Sequence, residues 1–588
     1  MKKLRLIKLI QILLILLFAD GIAFSQSEAD TKYWIIFKDK GEFDPGTKIT
    51  PGSKAYEEGK KLLTERAVQR RLKVLKEDNL IDFADLPLDN SYIQKIKSNG
   101  VEIIAQSRWL NGVSAYLSEA ELEKIKKLDF VDHLMFVNKL VSQIIKQDQE
   151  TYPSEKSDTL NKLNYGKSLN QMESVNVPKV HNLNITGKGV MIASFDDGFD
   201  WRNHESLSQL NITAEYDFVN KDENTFPEKN QKYKDSKKQG SHGTATVSSM
   251  SGFKEGYLIG PAFDSEIILA KTEYIDTETP MEEDFWLEAT EWAEAKGVDI
   301  ITSSLIYKNF DAPYNNNTYT YENLDGNTAI ITVAADRAAY LGVVVCQSMG
   351  NYFQTEEPSL GSAADADSII SVGAVTFSGD PASFTSNGPT KDGRTKPDVV
   401  APGVNVYTAT MKDVSGNNST YDYSSGTSFS TPIVAGICAL ILSAHPDLTP
   451  MQVRDAIRNT ASQSGAPDNT LGWGMVNAYD AMLYHGMIWS NDFSLEKISS
   501  DELKISTYLA SKDIVDVNSV KMNYSFDNGK TFESMNMDPE SMTDAKTNSG
   551  KYSAVVKLDR NMDDFKVYFS AEDNSGKKSE FPKVSFSN

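Results

Sequence analysis

The sequence predicts an α/β protein in three folded parts. A small α+β unit comes first, then a larger unit built on a parallel sheet with helices on both faces, then a C-terminal β-sandwich. Three observations carry this expectation. From Gly187 to about Leu483, unbroken Val/Ile runs alternate with helical segments, the pattern of parallel strands buried on both faces. After Trp489 the pattern changes to strict apolar-polar alternation. Ahead of both, residues 32 to about 140 interleave short strands with helices. At 588 residues the chain exceeds one ordinary core, and 40% hydrophobic residues is enough to pack several.

Residues 1–25 have the form of a secretory signal. Lys2, Lys3, Arg5 and Lys8 precede an apolar run of about ten residues, 9–18, too short to span a bilayer. Asp20 and Gly21 end the run early, against an uncleaved anchor, and Ala23-Phe24-Ser25 offers small residues for cleavage before Gln26. Residues 26–145 are the α+β unit. Strands are expected at 33–37, 101–104, 113–117 and 131–137, and helices at 56–76 and 89–98. A further helix is opened by Ser118 with Glu121 in its first turn. Residues 146–165 are polar and aperiodic, a linker and a place for processing.

Residues 166–486 carry buried strands at 190–195, 267–271, 298–301, 343–346 and 369–375. Helices lie between them, among them 284–296, which Gly297 stops. The Lys- and Asp-rich insert 221–238 reads as a solvated loop. Residues 487–588 hold alternating strands at 504–509, 520–526, 552–556 and 565–569, some separated by Gly-containing turns, which suggests a β-sandwich.

The chain carries 82 acidic against 60 basic residues, a formal net charge of -22. Phosphates would be repelled, so no nucleic-acid partner is expected. Past the signal no apolar stretch is long enough to span a membrane, so no stable membrane insertion is expected after its cleavage. The two cysteines, Cys346 and Cys438, sit in apolar runs and read as buried thiols, with one disulfide as the alternative in an oxidising compartment.

Amide hydrolysis needs an oxygen nucleophile, a proton shuttle, a group that orients the shuttle, and donors for the oxyanion. Ser428 lies in Gly426-Thr427-Ser428-Phe429-Ser430-Thr431-Pro432, at the start of an apolar helix. A hydroxyl there sits at the positive end of a helix dipole. Alone, it reads equally as a helix N-cap. His242 lies in the Gly-flanked turn 240–247; alone, an ordinary loop histidine is the commoner reading. Asp196 ends the strand 190–195, at the carboxyl edge where α/β sites form. It also reads as a turn former, and Asp197 is its rival. Asn351, in Ser348-Met349-Gly350-Asn351, carries an amide able to donate to an oxyanion, or simply closes a Gly-Asn turn.

The conjunction is more specific than its parts. The chain order Asp, His, Ser differs from the order in chymotrypsin-like enzymes and in α/β-hydrolases, and Ser428 lacks the Gly-Xaa-Ser-Xaa-Gly elbow. With Ser386-Asn387-Gly388-Pro389, the run 396–403 (Lys-Pro-Asp-Val-Val-Ala-Pro-Gly) and the run 472–478 (Gly-Trp-Gly-Met-Val-Asn-Ala), these motifs resemble the bacterial subtilases. The resemblance covers most of the central unit.

That resemblance implies a subtilisin-like parallel sheet and a secreted serine endopeptidase. It implies that Asp196, first in its Asp-Xaa-Gly turn, orients His242, that His242 activates Ser428, and that Asn351 serves the oxyanion. The N-terminal unit is implied to be an inhibitory propeptide and the substrates to be polypeptides. Ser304 and Leu305 match a strand that pairs with extended substrate; Ile306 stands where the family has glycine. Gln347 and Met349 are bulkier than the family's residues before Gly-Asn. No cofactor is required for the chemistry. Structural calcium is compatible with the family and the acidic balance, and no metal-binding residues are assigned. The competing expectation is a catalytically silent relative used as a binding scaffold. Export places the protein in the periplasm, at the cell surface or in the medium.

Overall fold

The structure, a computed structural model, describes residues 31–136, 161–236, 238–311, 319–411, 420–558 and 563–585. The signal segment 1–25 and linker residues 146–160 lie outside the described residues.

The N-terminal sheet has four antiparallel strands, β1 (Thr31–Phe37), β2 (Ala105–Ser107), β3 (Gly112–Leu117) and β4 (Val131–Phe136), ordered β2-β3-β1-β4. Four helices accompany it: α1 (Lys54–Lys60), α2 (Glu65–Leu72), α3 (Asn90–Ser98) and α4 (Glu119–Ile125). Ile35 and Phe37 of β1 pack with Ile93, Ile96 and Ile125 of α3 and α4. Trp34 points to the opposite face, as strand alternation requires, and enters the core of the central unit.

Two sequence expectations need correction here. The helix expected at 56–76 is broken into α1 and α2, because Thr64 adopts extended backbone and its hydroxyl caps the second helix at Ala67 N. The strand expected at 101–104 begins only at Ala105, although Ile104 N already bonds Ser114 O at 2.9 Å.

Seven strands form the central sheet: β5 (Met191–Asp196), β6 (Asn211–Asp217), β7 (Glu266–Lys271), β8 (Ile300–Ser303), β9 (Val344–Ser348), β10 (Ile370–Val375) and β11 (Val399–Pro402). Their order is β11-β10-β9-β8-β5-β7-β6, and every neighbouring pair is parallel. Helices α5 (Ser241–Ser251), α6 (Met281–Lys296), α7 (Ile330–Tyr340) and α8 (Thr427–Ala444) cover the two faces. Ile192, Leu269, Ile300 and Val344 face α8 through Ile433 and Ile437. The alternate residues Ala193, Phe195, Ile268 and Val345 face α6 and α7 through Phe285, Trp286 and Ala335. Both faces are apolar, which is why these strands read as unbroken hydrophobic runs. Among the described residues α8 alone is long and apolar enough to cross a membrane, and it is buried in this core. Cys346 and Cys438 are buried thiols with sulfurs 3.9 Å apart, between β9 and α8.

The insert 221–238, expected to be solvated, is anchored. Thr225 and Asp235 are buried, and Asp235 joins Asp217 in pairing with the buried Lys271 ammonium at 2.8 and 2.9 Å. A buried lysine needs such partners to stay charged. The C-terminal part has two four-stranded antiparallel sheets. Ile505, Leu509 and Tyr552 of one pack on Met522, Val567 and Phe569 of the other, which makes a sandwich.

The N-terminal unit lies on α6, whose carboxylates line the contact. Lys32 Nζ and Trp34 Nε1 both reach Asp284 Oδ1, at 2.7 and 2.9 Å. Gln106 N donates to Glu288 at 2.8 Å. Helix α2 adds Arg71, which reaches Glu294 at 2.7 and 2.8 Å and Asp85 at 2.9 Å. Arg70 pairs with Glu294 and donates to the carbonyls of Leu341, Glu294 and Val298 at 3.2, 3.0 and 2.9 Å. All three of these charged side chains, Arg70, Arg71 and Glu294, are buried.

Candidate active site

In the strand order, β5 is flanked by the later strands β8 and β7, so the side on which successive parallel strands are added switches at this point. Ligands of open α/β sheets bind outside the carboxyl ends of strands at such a place. Asp196 is the last residue of β5, Ser304 and Leu305 follow β8, and Asn351 follows β9. All four line one cavity of about 470 Å³, together with His242 and Ser428.

His242 is the second residue of α5 and is brought to Asp196 by close backbone packing. A Cβ at Gly243 would fall 2.2 Å from Gly198 O and 2.9 Å from Asp196 Cβ, so only glycine permits the approach. Asp196 Oδ1 then lies 2.6 Å from His242 Nδ1, and Thr246 Oγ1 donates to Oδ2 at 2.8 Å. One carboxylate oxygen is committed to the ring, and the other is fixed by a residue one helical turn on. The rival Asp197 also lines the cavity but makes no hydrogen bond to the imidazole ring. Its carboxylate accepts the amides of Gly243 and His242, at 2.7 and 3.4 Å, and so caps the start of α5. Thr246 went unassigned in the sequence, although its spacing of four from His242 places it on the same helix face.

Ser428 is the second residue of α8, beside a helix N-terminus whose first amides lack helical partners. Pro432 stands four residues on and has no N–H to give to Ser428 O. Ser304 Oγ donates to that carbonyl instead, at 2.8 Å. The Ser428 hydroxyl donates to Ser304 O at 3.2 Å, and is not hydrogen-bonded to His242 in this structure. Asn351 Oδ1 accepts from Thr427 N and from Thr427 Oγ1, both at 3.0 Å. A backbone N–H can only donate, so the oxygen must face Thr427 and Nδ2 is left to donate toward the cavity. Leu305 O is held by the side-chain amide of Gln347, one of the two bulky residues ahead of Gly350-Asn351.

The site is strongly acidic, with Asp196, Asp197, Glu273 and Glu278 in the cavity wall. Burial, then the Asp196 charge, pushes Asp197 up to about 7. Burial and Glu278 push Glu273 well above the carboxylate range, while the Tyr307 hydroxyl bonds it. Burial of His242 opposes protonation, but Asp196 outweighs it and the imidazole is raised to about 9. Asp197 and Glu273 add to this only when ionised, so near neutrality Asp196 carries most of the effect. His181, by contrast, is bonded to Tyr165 Oη and Pro261 O, and burial lowers it to about 4. Among the described residues no group of three or more His, Cys, Asp or Glu is arranged to hold a metal ion.

Comparison with known proteins matches this geometry to one group. The family described as the subtilase family matches residues 187–474, and a peptidase S8 propeptide domain of Bacteroidota matches residues 32–155. A subtilisin of Bacillus pumilus is 30% identical over 311 residues, 53% of this chain and 97% of that protein. The serine protease AprX of Bacillus subtilis is 32% identical over 321 residues, 51% of this chain and 67% of that one. Subtilisin E of Bacillus subtilis is 28% identical over 371 residues, 63% of this chain and 80% of that one.

Proposed function

The chain belongs to the subtilase family and is a serine endopeptidase, and from that premise we propose that it works through Asp196, His242 and Ser428 as a secreted, self-processed precursor. The observation that carries the proposal is the Asp196–His242 contact of 2.6 Å, in one cavity with Ser428 and the inward-facing Asn351 amide.

The chemistry follows from these positions. Ser428 turns its proton from Ser304 O to His242 Nε2 and attacks the peptide carbonyl. Asp196, bonded to Nδ1, fixes the tautomer that leaves Nε2 free to accept, and stabilises the imidazolium that forms. The oxyanion is received by Asn351 Nδ2 and the Ser428 N–H at the start of α8. His242 then protonates the leaving amine, and water releases the acyl group from Ser428. Ser304 and Leu305 present the strand edge along which extended substrate lies. The reading draws on no cofactor.

The propeptide match fits an enzyme held inactive by its own N-terminal unit until cleavage in the 146–165 linker. The parts are read as signal 1–25, propeptide 26–145, catalytic domain 166–486 and β-sandwich 487–588. Intact mass and N-terminal sequence of the exported protein test this, for wild type beside Ser428→Ala. Wild type that starts near the linker while the variant keeps its propeptide supports self-processing by Ser428. Full-length protein in both, with no labelling by a fluorophosphonate, would favour the silent scaffold instead.

A further inference from the structure

Two segments, 304–306 and 350–352, wall the cavity beside Ser428. A peptide carbonyl attacked by Ser428 Oγ points its oxygen to Asn351 Nδ2 and its leaving nitrogen to His242. The acyl-side Cα then lies beside the gap between those two segments, which is the cavity space open to its side chain.

Ile306 lines this gap, and Gly361 packs against its side chain. A Cβ built on Gly361 would meet Ile306 Cγ2 at 2.2 Å, with Ile306 Cβ and Cδ1 both at 3.6 Å. The branched side chain therefore occupies the space directly over the glycine, and lines the cavity itself. Its neighbours hold it there. Tyr307 N donates to Ser362 O at 3.2 Å, and Ser362 Oγ donates to Tyr307 O at 3.0 Å. Leu305 O is bonded by Gln347, and Ser304 is bonded through both its Oγ and its carbonyl to Ser428. With both flanks pinned, the backbone at Ile306 cannot shift away without breaking hydrogen bonds on both sides.

We propose that Ile306 sets the specificity of this site by filling the acyl-side pocket, so that the enzyme cleaves after Gly, Ala or Ser and excludes Phe, Tyr and Leu there. The inference rests on Ser428 being the nucleophile. A close-packed wall has no low-cost way to admit a larger ring, because its neighbours are already in contact.

The test uses the processed enzyme and fluorogenic peptides varied only at the acyl-side residue. Active sites are titrated with a fluorophosphonate, for wild type, Ile306→Gly and Ile306→Ala. In wild type, kcat/KM for the Ala peptide should exceed that for Phe by about 100-fold or more. Each variant should raise Phe relative to Ala by about 10- to 100-fold. A wild-type preference for Phe, or an unchanged ratio in titratable variants, overturns the proposal. If neither variant folds, Ile306→Val decides: it removes one methylene and must shift the ratio the same way, with no shift overturning the idea. Wild type that is not labelled at Ser428 would sink the nucleophile reading itself, whereas labelling with an unmoved profile sinks only the role of Ile306.

Discussion

Arg70→Ala should weaken the hold of the N-terminal unit on the catalytic domain by about 100-fold. Every hydrogen bond of the Arg70 side chain crosses that boundary, to Leu341 O, Glu294 O, Val298 O and the Glu294 carboxylate. Truncation therefore leaves the N-terminal unit's own side-chain contacts in place. It strips donors from three carbonyls and one partner from a buried carboxylate. Removing one member of a buried pair costs about 3–5 kcal/mol, and the low end applies because Arg71 still neutralises Glu294. About 3 kcal/mol is about 100-fold in Kd. The assay dilutes the processed, still-associated complex and follows the appearance of peptidase activity as the N-terminal unit dissociates. Arg66→Ala is the control. It removes the same charge from the same helix, but Arg66 is 32% exposed and pairs with Asp299 and Glu266 nearer solvent. Such pairs contribute about 1 kcal/mol or less, so the effect should stay within about fivefold. A change below about threefold for Arg70→Ala, or equal effects of the two variants, would refute the argument that burial makes Arg70 the anchor.

Three further outcomes are expected. His242 must be neutral to accept the Ser428 proton, and Asp196 raises it to about 9, so kcat/KM should climb with pH up to about 9; a limb at or below the ordinary imidazole value would contradict the carboxylate's role. Asp196→Asn should lower kcat by about 10⁴ and move that limb down, whereas Asp197→Asn, whose carboxylate bonds the backbone at the start of α5 and not the ring, should cost less than about tenfold; equal losses would mean the two carboxylates have been assigned the wrong roles. Asn351→Ala should lower kcat by about 10²–10³ with KM little changed, read from steady-state kinetics, and a loss confined to KM would remove Asn351 from the oxyanion site.

The main fold was legible because its strands are buried on both faces. Val343-Val344-Val345 and Ile369-Ile370 have no polar side to present, and a run of that kind needs helices above and below. The edges were less legible, because local capping decided them. Thr64 is an ordinary residue in a helical pattern until its hydroxyl takes Ala67 N and ends one helix to start the next. The insert 221–238 failed for another reason. Its charges look solvated in one dimension, and only the fold reveals that Lys271, at the end of β7, needs Asp235 beside it. The acidic face of α6 is the same case on a larger scale. Asp284, Glu288, Glu291 and Glu294 look like a solvated helix surface, yet they meet Lys32, Gln106, Ser107, Arg70 and Arg71 from the N-terminal unit. Partners this far apart in sequence leave no local signal.

The candidate site divides along the same line. Its residue types could be read from Gly-flanked turns, but the orientation of each group depends on contacts that no motif contains. Asn351 faces the cavity with its amide because Thr427 takes its oxygen, and Thr427 precedes the proposed nucleophile in the same turn. Pro432 leaves Ser428 O unpaired within the helix, and Ser304 supplies the missing donor from the end of β8. Ser428, Asn351 and the 304–306 segment, to which we assign the nucleophile, the oxyanion donor and the acyl-side wall, are thereby joined by hydrogen bonds into one body, and a displacement of the 304–306 segment must disturb Ser428 as well. Ile306 belongs to that segment. Its departure from the family's glycine is therefore tied to the reacting centre itself, and a variant that relaxes the wall should change turnover on bulky peptides more than it changes their binding.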